Sequence, residues 1–474
     1  MDQKRTPLFD ALRDHARRNP LSFHVPGHKN GTIYTGEARD WFEKLLNIDL
    51  TELPGLDDLH QPEGVIKEAQ KLTASFYQAD HTFFLVGGST SGNLAMIFAI
   101  CQPGDTVIVQ RNSHKSIMHA LELAGAHPVF LTPLYSKQTG RLSEITLHQL
   151  KEALEQYPEA KGVVLTYPDY FGHTYPLKKL IETAHDHHIP VIVDEAHGAH
   201  FVLGNPFPTS ALELGADIVV QSAHKMLPAM TMTAWLHLRS ELIAYERVSR
   251  YVHMFQSSSP SYPLMASLDL ARYYLANLSR KQIHEIIQSV KGVRAMFKML
   301  PYWEVLPCEA HVDDMLKIIV QVKEGYQARD IARALERNGI YPEMVTDDQI
   351  LFIFGLSPYT EMQVLEKALE RLDPEKTDNS IKLTQAEMKP IQDLAISYDQ
   401  MRKMKTEWVV WDKAVGRITA ESVTPYPPGI PYLLKGERIN KEHVKTLQQY
   451  IGQNQYIQYA RDRLKEGIYV FKQE

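Results

Sequence analysis

The stretch VIVDEAHGAHF, residues 191–201, sets two acids and two histidines directly behind a run of β-branched apolar residues. Three chemistries use such a set. The adjacent acids Asp194 and Glu195 match the label of a helicase box, which holds Mg²⁺ for ATP hydrolysis. Asp194, His197 and His200, spaced by three, carry donor atoms suited to a metal ion. A lone carboxylate at the tip of a buried strand can instead face a cationic ring. The first reading needs a phosphate loop of the form G-x-x-x-x-G-K-[ST], and the dipeptide Gly-Lys occurs nowhere in the chain. It falls. The second stays open on spacing alone, but 21 histidines in 474 residues often place two of them three apart by chance.

Other residues favour the third. DIVVQ (217–221) runs into Ser222, Ala223, His224 and Lys225. Ligands of open parallel sheets bind at the carboxyl ends of the strands, so Asp194 and Lys225 are expected to project into one crevice. FFLVGGSTSGN (83–93) ends a further strand in Gly87 and Gly88 and opens a helix with Ser89, Thr90 and Ser91. Backbone N–H groups, hydroxyls and the positive end of the helix dipole there make a site for one phosphate. A lysine for an aldehyde, a phosphate cradle and a carboxylate for a ring nitrogen are together what pyridoxal 5′-phosphate demands.

The elements that must position these residues are legible as alternation. TVIVQ, HPVFL, KGVVL, PVIVD and DIVVQ are separated by amphipathic stretches such as SGNLAMIFAICQ, SIMHALELAG, TLHQLKEALEQ and LKKLIETAHDHH. Short Val/Ile-rich strands between helices predict an α/β fold, a mostly parallel sheet with flanking helices. We assign residues 56–265 to this large domain and 1–55 to an N-terminal segment whose first helix has Thr6 as N-cap and Pro7 in its first turn. Residues 266–300 read as one bridging helix. MLKIIVQV, YQARDIARALERNG, YPEMV and QILFIFG predict a small α+β domain over 301–374 with antiparallel pairing. A polar linker over 375–390 precedes a C-terminal domain, 391–474, containing a Pro-rich loop.

Bulk properties exclude other classes. A net charge of −6 without a Lys/Arg block offers no field for nucleic acid or an anionic membrane. No apolar run reaches the length of a membrane span, and the N-terminus lacks a signal-peptide core. The two cysteines, Cys101 and Cys308, have no CxxC neighbour and are expected to be reduced. The cytoplasm is the expected compartment.

The chain resembles the ornithine/lysine/arginine decarboxylase family, within the aspartate-aminotransferase-like fold (type I) of pyridoxal phosphate enzymes. The resemblance rests on FHVPGHKNG (23–31), LDDLHQPEGVIKEAQ (56–70), FFLVGGSTSGN (83–93), RNSHKS (111–116), VDEAHGAH (193–200), QSAHKMLPAMT (221–231), QSSSPSYPLMASLD (256–269) and YPPGIPYLLKGE (426–437). It is to the shorter, Gram-positive-type members, without the extra N-terminal domain of the inducible bacterial ones. It implies loss of CO₂ from lysine, arginine or ornithine, giving a diamine or agmatine. By the same resemblance Lys225 is the Schiff-base lysine and Asp194 the partner of the ring nitrogen. His114 stacks on one ring face, Ala196 packs on the other, and His197 lies near the ring hydroxyl. Ser89, Thr90, Ser91, Ser222 and His224 hold the phosphate, and Lys225 or His224 returns a proton to the α-carbon. Ser257, Ser258 and Ser259 reach the phosphate from a neighbouring copy, which implies a homodimer with shared sites and allows a higher oligomer.

Phosphate-loop residues Gly88 and Ser91, the stretch TYPDYFG with Tyr167 and Asp169, and PAMTMTAW after the lysine depart from the family's usual forms and bear on substrate choice. Plainer readings stand beside these. His114 alone would be a loop histidine, Ser257–Ser259 before a proline a turn, and His200 is read as structural. Glu437 meets the distal cation of a substrate or is an exposed loop glutamate. An aminotransferase or another lyase keeps the cofactor and breaks a different bond. A cofactor-binding protein without turnover is the reading from another class.

Overall fold

The computed structural model describes residues 1–136, 139–377, 389–425, 431–452, 457–458 and 463–472. Most of the expected linker and residues 426–430 of the Pro-rich loop lie outside the described residues. Across the large sheet the strands run His81–Leu85, Ala234–Leu238, Ile218–Gln221, Val191–Asp194, Val163–Thr166, Thr106–Gln110, His127–Leu131 and Ile391–Asp393. The pairs from Ile218–Gln221 to His127–Leu131 are parallel. Ala234–Leu238 is antiparallel to both of its neighbours. His81–Leu85 therefore runs with the parallel set, and six strands turn their carboxyl ends to one edge. That edge carries the glycine loop, Asp194 and Ser222–Lys225.

The strand residues are buried on both faces, as helices packed on either side require. Val191 and Val193 enter one core with Val219 and Leu165. Ile192 enters the other with Ile218, Val220 and Val164. Side chains alternate along a strand, so Asp194 shares the face of Ile192. Helices Gly88–Ile100 and Lys115–Ala124 cover this face. The first of them lies unusually close to the sheet. A Cβ on Gly92 would come 2.6 Å from Val220 Cγ2 and 2.7 Å from Leu85 Cδ1. Glycine at 92 thus sets the depth at which the next residue, Asn93, meets the Asp194 strand.

A second sheet orders Trp303–Val305, Lys317–Val322, Gln349–Ile353 and Met344–Val345, all antiparallel. Three features depart from the sequence reading. The stretch expected as one helix over 266–300 is two, Tyr262–Ala276 and Arg280–Lys298, because Ser279 and Gln282 form a reciprocal capping box that starts a new helix. Ile391–Asp393, from the segment assigned to the C-terminal domain, extends the large sheet beside His127–Leu131. Thr6 stands at the N-cap of helix Pro7–Arg17 but does not cap it, since its hydroxyl donates to Asp10 Oδ2 at 3.0 Å.

Asp269 caps that helix from across the fold, accepting from Leu8 N at 3.1 Å and Phe9 N at 3.4 Å. Its other oxygen accepts from Arg272 Nη2 at 2.5 Å, and both side chains are 0% exposed. Arg272 also donates to the carbonyls of Gln3 and Arg5. Removing one partner of a buried ion pair strands the other charge. Asp269→Asn is expected to lose about 3–5 kcal/mol in urea unfolding; a loss within the few tenths typical of surface changes would contradict this anchoring.

Candidate active site

At the sheet edge the DEAH residues diverge. Asp194 is 3% exposed. Its Oδ2 accepts from Asn93 Nδ2 at 3.0 Å and its Oδ1 from Ala196 N at 3.1 Å. Glu195 accepts instead from Ala211 N at 2.7 Å, Gln221 Nε2 at 2.6 Å and Ser210 Oγ at 3.2 Å. Burial pushes its carboxyl up to about 8, against those donors. The two acids do not converge on one ion. His200 Nε2 lies 3.0 Å from Asp314 Oδ1, in a fully buried pair. Among the described residues no three His, Cys, Asp or Glu side chains gather as a metal site.

Strand Ile218–Gln221 pairs directly with Val191–Asp194, and the short helix Ala223–Met226 that follows carries Lys225. Lys225 Nζ is 3.1 Å from His197 Nε2. An ammonium only donates, so with Lys225 charged the His197 proton sits on Nδ1, a buried atom with no hydrogen-bond partner. Burial lowers the Lys225 pKa from its ordinary value, opposed by the charges of Asp194 and Glu343. It lowers that of His197 well below the usual imidazole range, helped by Lys225 and Lys317.

His114 stands at the N-cap of helix Lys115–Ala124, its Nδ1 2.7 Å from Ser116 Oγ. Ser116 Oγ in turn accepts from Asn93 Nδ2 at 2.8 Å. A relay, Asp194–Asn93–Ser116–His114, buried as far as Ser116 and ending at the exposed His114, thus connects two residues expected from the sequence through two that were not. Asn93 had a signal. It is a polar, poor helix former set before the apolar run LAMIFAI, where such a side chain needs a specific partner.

At the start of helix Gly88–Ile100, Ser222 Oγ donates to Ser89 Oγ at 2.8 Å. Gly88 has φ +71, the left-handed region that disfavours a side chain there. Thr90 is exposed in the first turn. Ser91 departs from its expected role, because its hydroxyl is turned back onto Gly88 O at 2.8 Å and is 5% exposed. His224 Nδ1 is 2.9 Å from Thr233 O, which directs that N–H away from an anion. Ser257, Ser258 and Ser259 are exposed. Gln256 ties their loop to strand His81–Leu85 through Val86 N at 2.8 Å and Phe84 O at 3.2 Å.

Both readings of Glu437 are corrected. It is 0% exposed and pairs through both oxygens with Arg111, and it also accepts from Leu434 N and Gln392 Nε2, each at 2.9 Å. A carboxylate committed to a buried guanidinium is neither an exposed loop residue nor a seat for a substrate cation. It holds Arg111, three residues before His114.

The donor set fits a group with an aldehyde, a phosphate and a ring nitrogen. Lys225, the Ser89/Ser222 hydroxyls at a helix N-terminus and Asp194 share one strand edge, and buried His197 Nδ1 and Asn93 Oδ1 lack partners.

Comparison with known proteins gives two family matches: "Orn/Lys/Arg decarboxylase, major domain" over residues 6–320, and the C-terminal domain of the same family over 377–460. An uncharacterized Bacillus subtilis protein, YaaO, is 46% identical over 96% of each chain. A B. subtilis arginine decarboxylase is 36% identical over 100% of this chain and 99% of its own. Among solved structures, lysine decarboxylase A from Pseudomonas aeruginosa superposes with a TM-score of 0.80 at 21% identity, covering 98% of this chain and 80% of that one.

The histidines give a pH prediction. Burial lowers His114 and His197, and it takes His237, held between Thr82 and Gln221, down to about 3 from 6.5. As pH falls below the unfolded imidazole value of about 6.5, the unfolded chain binds protons that the native one refuses, and stability drops. Glu195, raised to about 8, acts in the opposite sense over this range, so the histidine contribution is read as a difference: the urea midpoint of the parent relative to His237→Gln is expected to fall from pH 6.5 downward. A difference that holds or rises would contradict the burial.

Proposed function

The chain belongs to the Orn/Lys/Arg decarboxylase family, and from that premise we propose a pyridoxal-phosphate-dependent α-decarboxylase of a basic amino acid. Lysine, arginine or ornithine would yield a diamine or agmatine and CO₂. The observation that carries the reading is the placement of Lys225 and Asp194 at the ends of paired parallel strands, with Asp194 tied to His114 through Asn93 and Ser116.

Pyridoxal 5′-phosphate, when bound, supplies a ring that accepts the electron pair left as the carboxylate departs. Ser89, Ser222 and the first N–H groups of helix Gly88–Ile100 would hold its phosphate, with Thr90 at the rim. Asp194 holds a proton at the ring nitrogen, and Asn93 Nδ2 and Ala196 N keep its oxygens aimed. His114 and Ala196 would close the two ring faces. Burial lowers the Lys225 pKa from its ordinary value, which favours the unprotonated, nucleophilic amine. Its Nζ would be placed to return a proton to the α-carbon. His224 is the other donor we assign to that step, and its Nδ1–H is already given to Thr233 O.

The same reading makes the working unit a homodimer, in which the exposed Ser258 and its neighbours serve the other copy's phosphate. Free thiols at Cys101 and Cys308 accord with a cytoplasmic location.

Trapping CO₂ from arginine, lysine and ornithine, each with cofactor, tests the proposal. Turnover of at least one is expected, lost in Lys225→Ala and reduced about 10²–10³-fold in Asp194→Asn, the size of losing a preorganised electrostatic partner. No CO₂ from any of them would overturn the function. Light scattering should find twice the 54.2 kDa chain mass; a fully active monomer would overturn the shared site.

A further inference from the structure

With Glu437 spent on Arg111, the described site needs another anion if it is to favour a substrate with a cationic tail. We propose that Glu343, bridged to the site by Tyr170, is the seat of the substrate's distal cation; the inference rests on the decarboxylase reading above.

Tyr170 belongs to the turn that follows strand Val163–Thr166. Its ring lies 4.4 Å from the His197 ring, centroid to centroid, and Lys225 Nζ is 5.8 Å from its centroid. At its far end the phenol hydroxyl donates to Glu343 Oε1 at 2.6 Å. The reacting lysine over the ring and the carboxylate at the hydroxyl therefore border one and the same tyrosine side chain. An amino acid whose α-amine is at Lys225 can lay its stem along the phenol ring and bring its ammonium or guanidinium to Glu343. The ring face is itself favourable to a cation.

Hydrogen bonds hold the backbone on both sides of this pair, while the carboxylate is exposed. Lys317, 1% exposed, donates from Nζ to the Tyr170 carbonyl at 3.0 Å and holds the turn from the second sheet. Glu343 precedes strand Met344–Val345, its own N–H donating to Leu351 O at 2.9 Å, and it is exposed.

The competing role for Glu343 is to balance the buried lysines. Lys317 has other counter-charges, since Asp314 and Asp169 act on it more strongly than Glu343 does. At Lys225 the carboxylates felt are Asp194 and Glu343, and Asp194 is held deep by Asn93 and Ala196. Glu343 is thus an exposed carboxylate whose charge acts on the reacting amine, which suits it to a cation arriving with the substrate.

Glu343→Gln tests this, because the amide oxygen still accepts the Tyr170 hydroxyl while the charge is gone. KM for the preferred basic amino acid is expected to rise at least about tenfold with kcat little changed, the scale of one lost charge-assisted hydrogen bond. Inhibition by the diamine or agmatine product should weaken to match. Binding of norleucine, a stem without the cation, read by the cofactor's absorbance, should be unaltered and so also reports an intact site. Glu343→Lys should exceed the Gln variant in the same direction. Unchanged KM and product inhibition in both variants, with an active parent, would overturn the subsite alone. An equal loss of norleucine binding would reduce Glu343 to a structural residue. A parent protein that turns over none of the three amino acids would overturn the function and this subsite together.

Discussion

A carboxylate out of contact with water is costly unless donors replace the solvent, and Asp194 sits where water scarcely reaches. Much of the site's local architecture answers that requirement. Gly92 lets a helix approach the sheet closely, the approach delivers Asn93 Nδ2, and the turn after the strand delivers Ala196 N. The second Asn93 proton continues through Ser116 to His114. A group between His114 and Asp194 would therefore meet two side chains whose orientations are set by one hydrogen-bonded path. Preorganisation of this kind makes a fixed charge effective, because no reorientation is left for the moment of reaction.

Three parts of the chain converge on this edge, each through buried polar groups. The large sheet contributes the strand tips. The second sheet contributes Lys317, and the turn just before it Asp314, which engage the Tyr170 carbonyl and His200. The C-terminal segment contributes Glu437 to Arg111 and an edge strand beside His127–Leu131. Such pairs are poor sources of net stability compared with apolar packing, but breaking one is expensive. They act as locks on geometry. The three parts thereby stay in register around Lys225.

Much of this was legible in the residues, for identifiable reasons. Strand and helix alternation follows from burial on both sheet faces, so VIVD, DIVVQ and FFLVGG revealed their tips without tertiary information. Asp194, Lys225, His114 and the Ser89 hydroxyl lie on those tips or the loops just after them. What stayed hidden depends on partners far apart in sequence. Asp269 replacing Thr6 as a cap spans the fold, and Arg111 claiming Glu437 crosses from sheet to C-terminal segment. Local spacing suggested a phosphate role for Ser91, yet helix geometry returns its hydroxyl to Gly88. The break at residues 277–279 was readable as the capping pattern S-R-K-Q, which the continuous amphipathic stripe obscured.

The claim beneath all of this is that Lys225, among the lysines of the chain, meets the cofactor's aldehyde while Asp194 sits opposite. Borohydride reduction after incubation with pyridoxal 5′-phosphate, followed by digestion and mass mapping, addresses it directly. The account predicts one stoichiometric pyridoxyl mass increment on the peptide carrying Lys225, with buried Lys317 unlabelled. Increments scattered over surface lysines, or none at all, would contradict it.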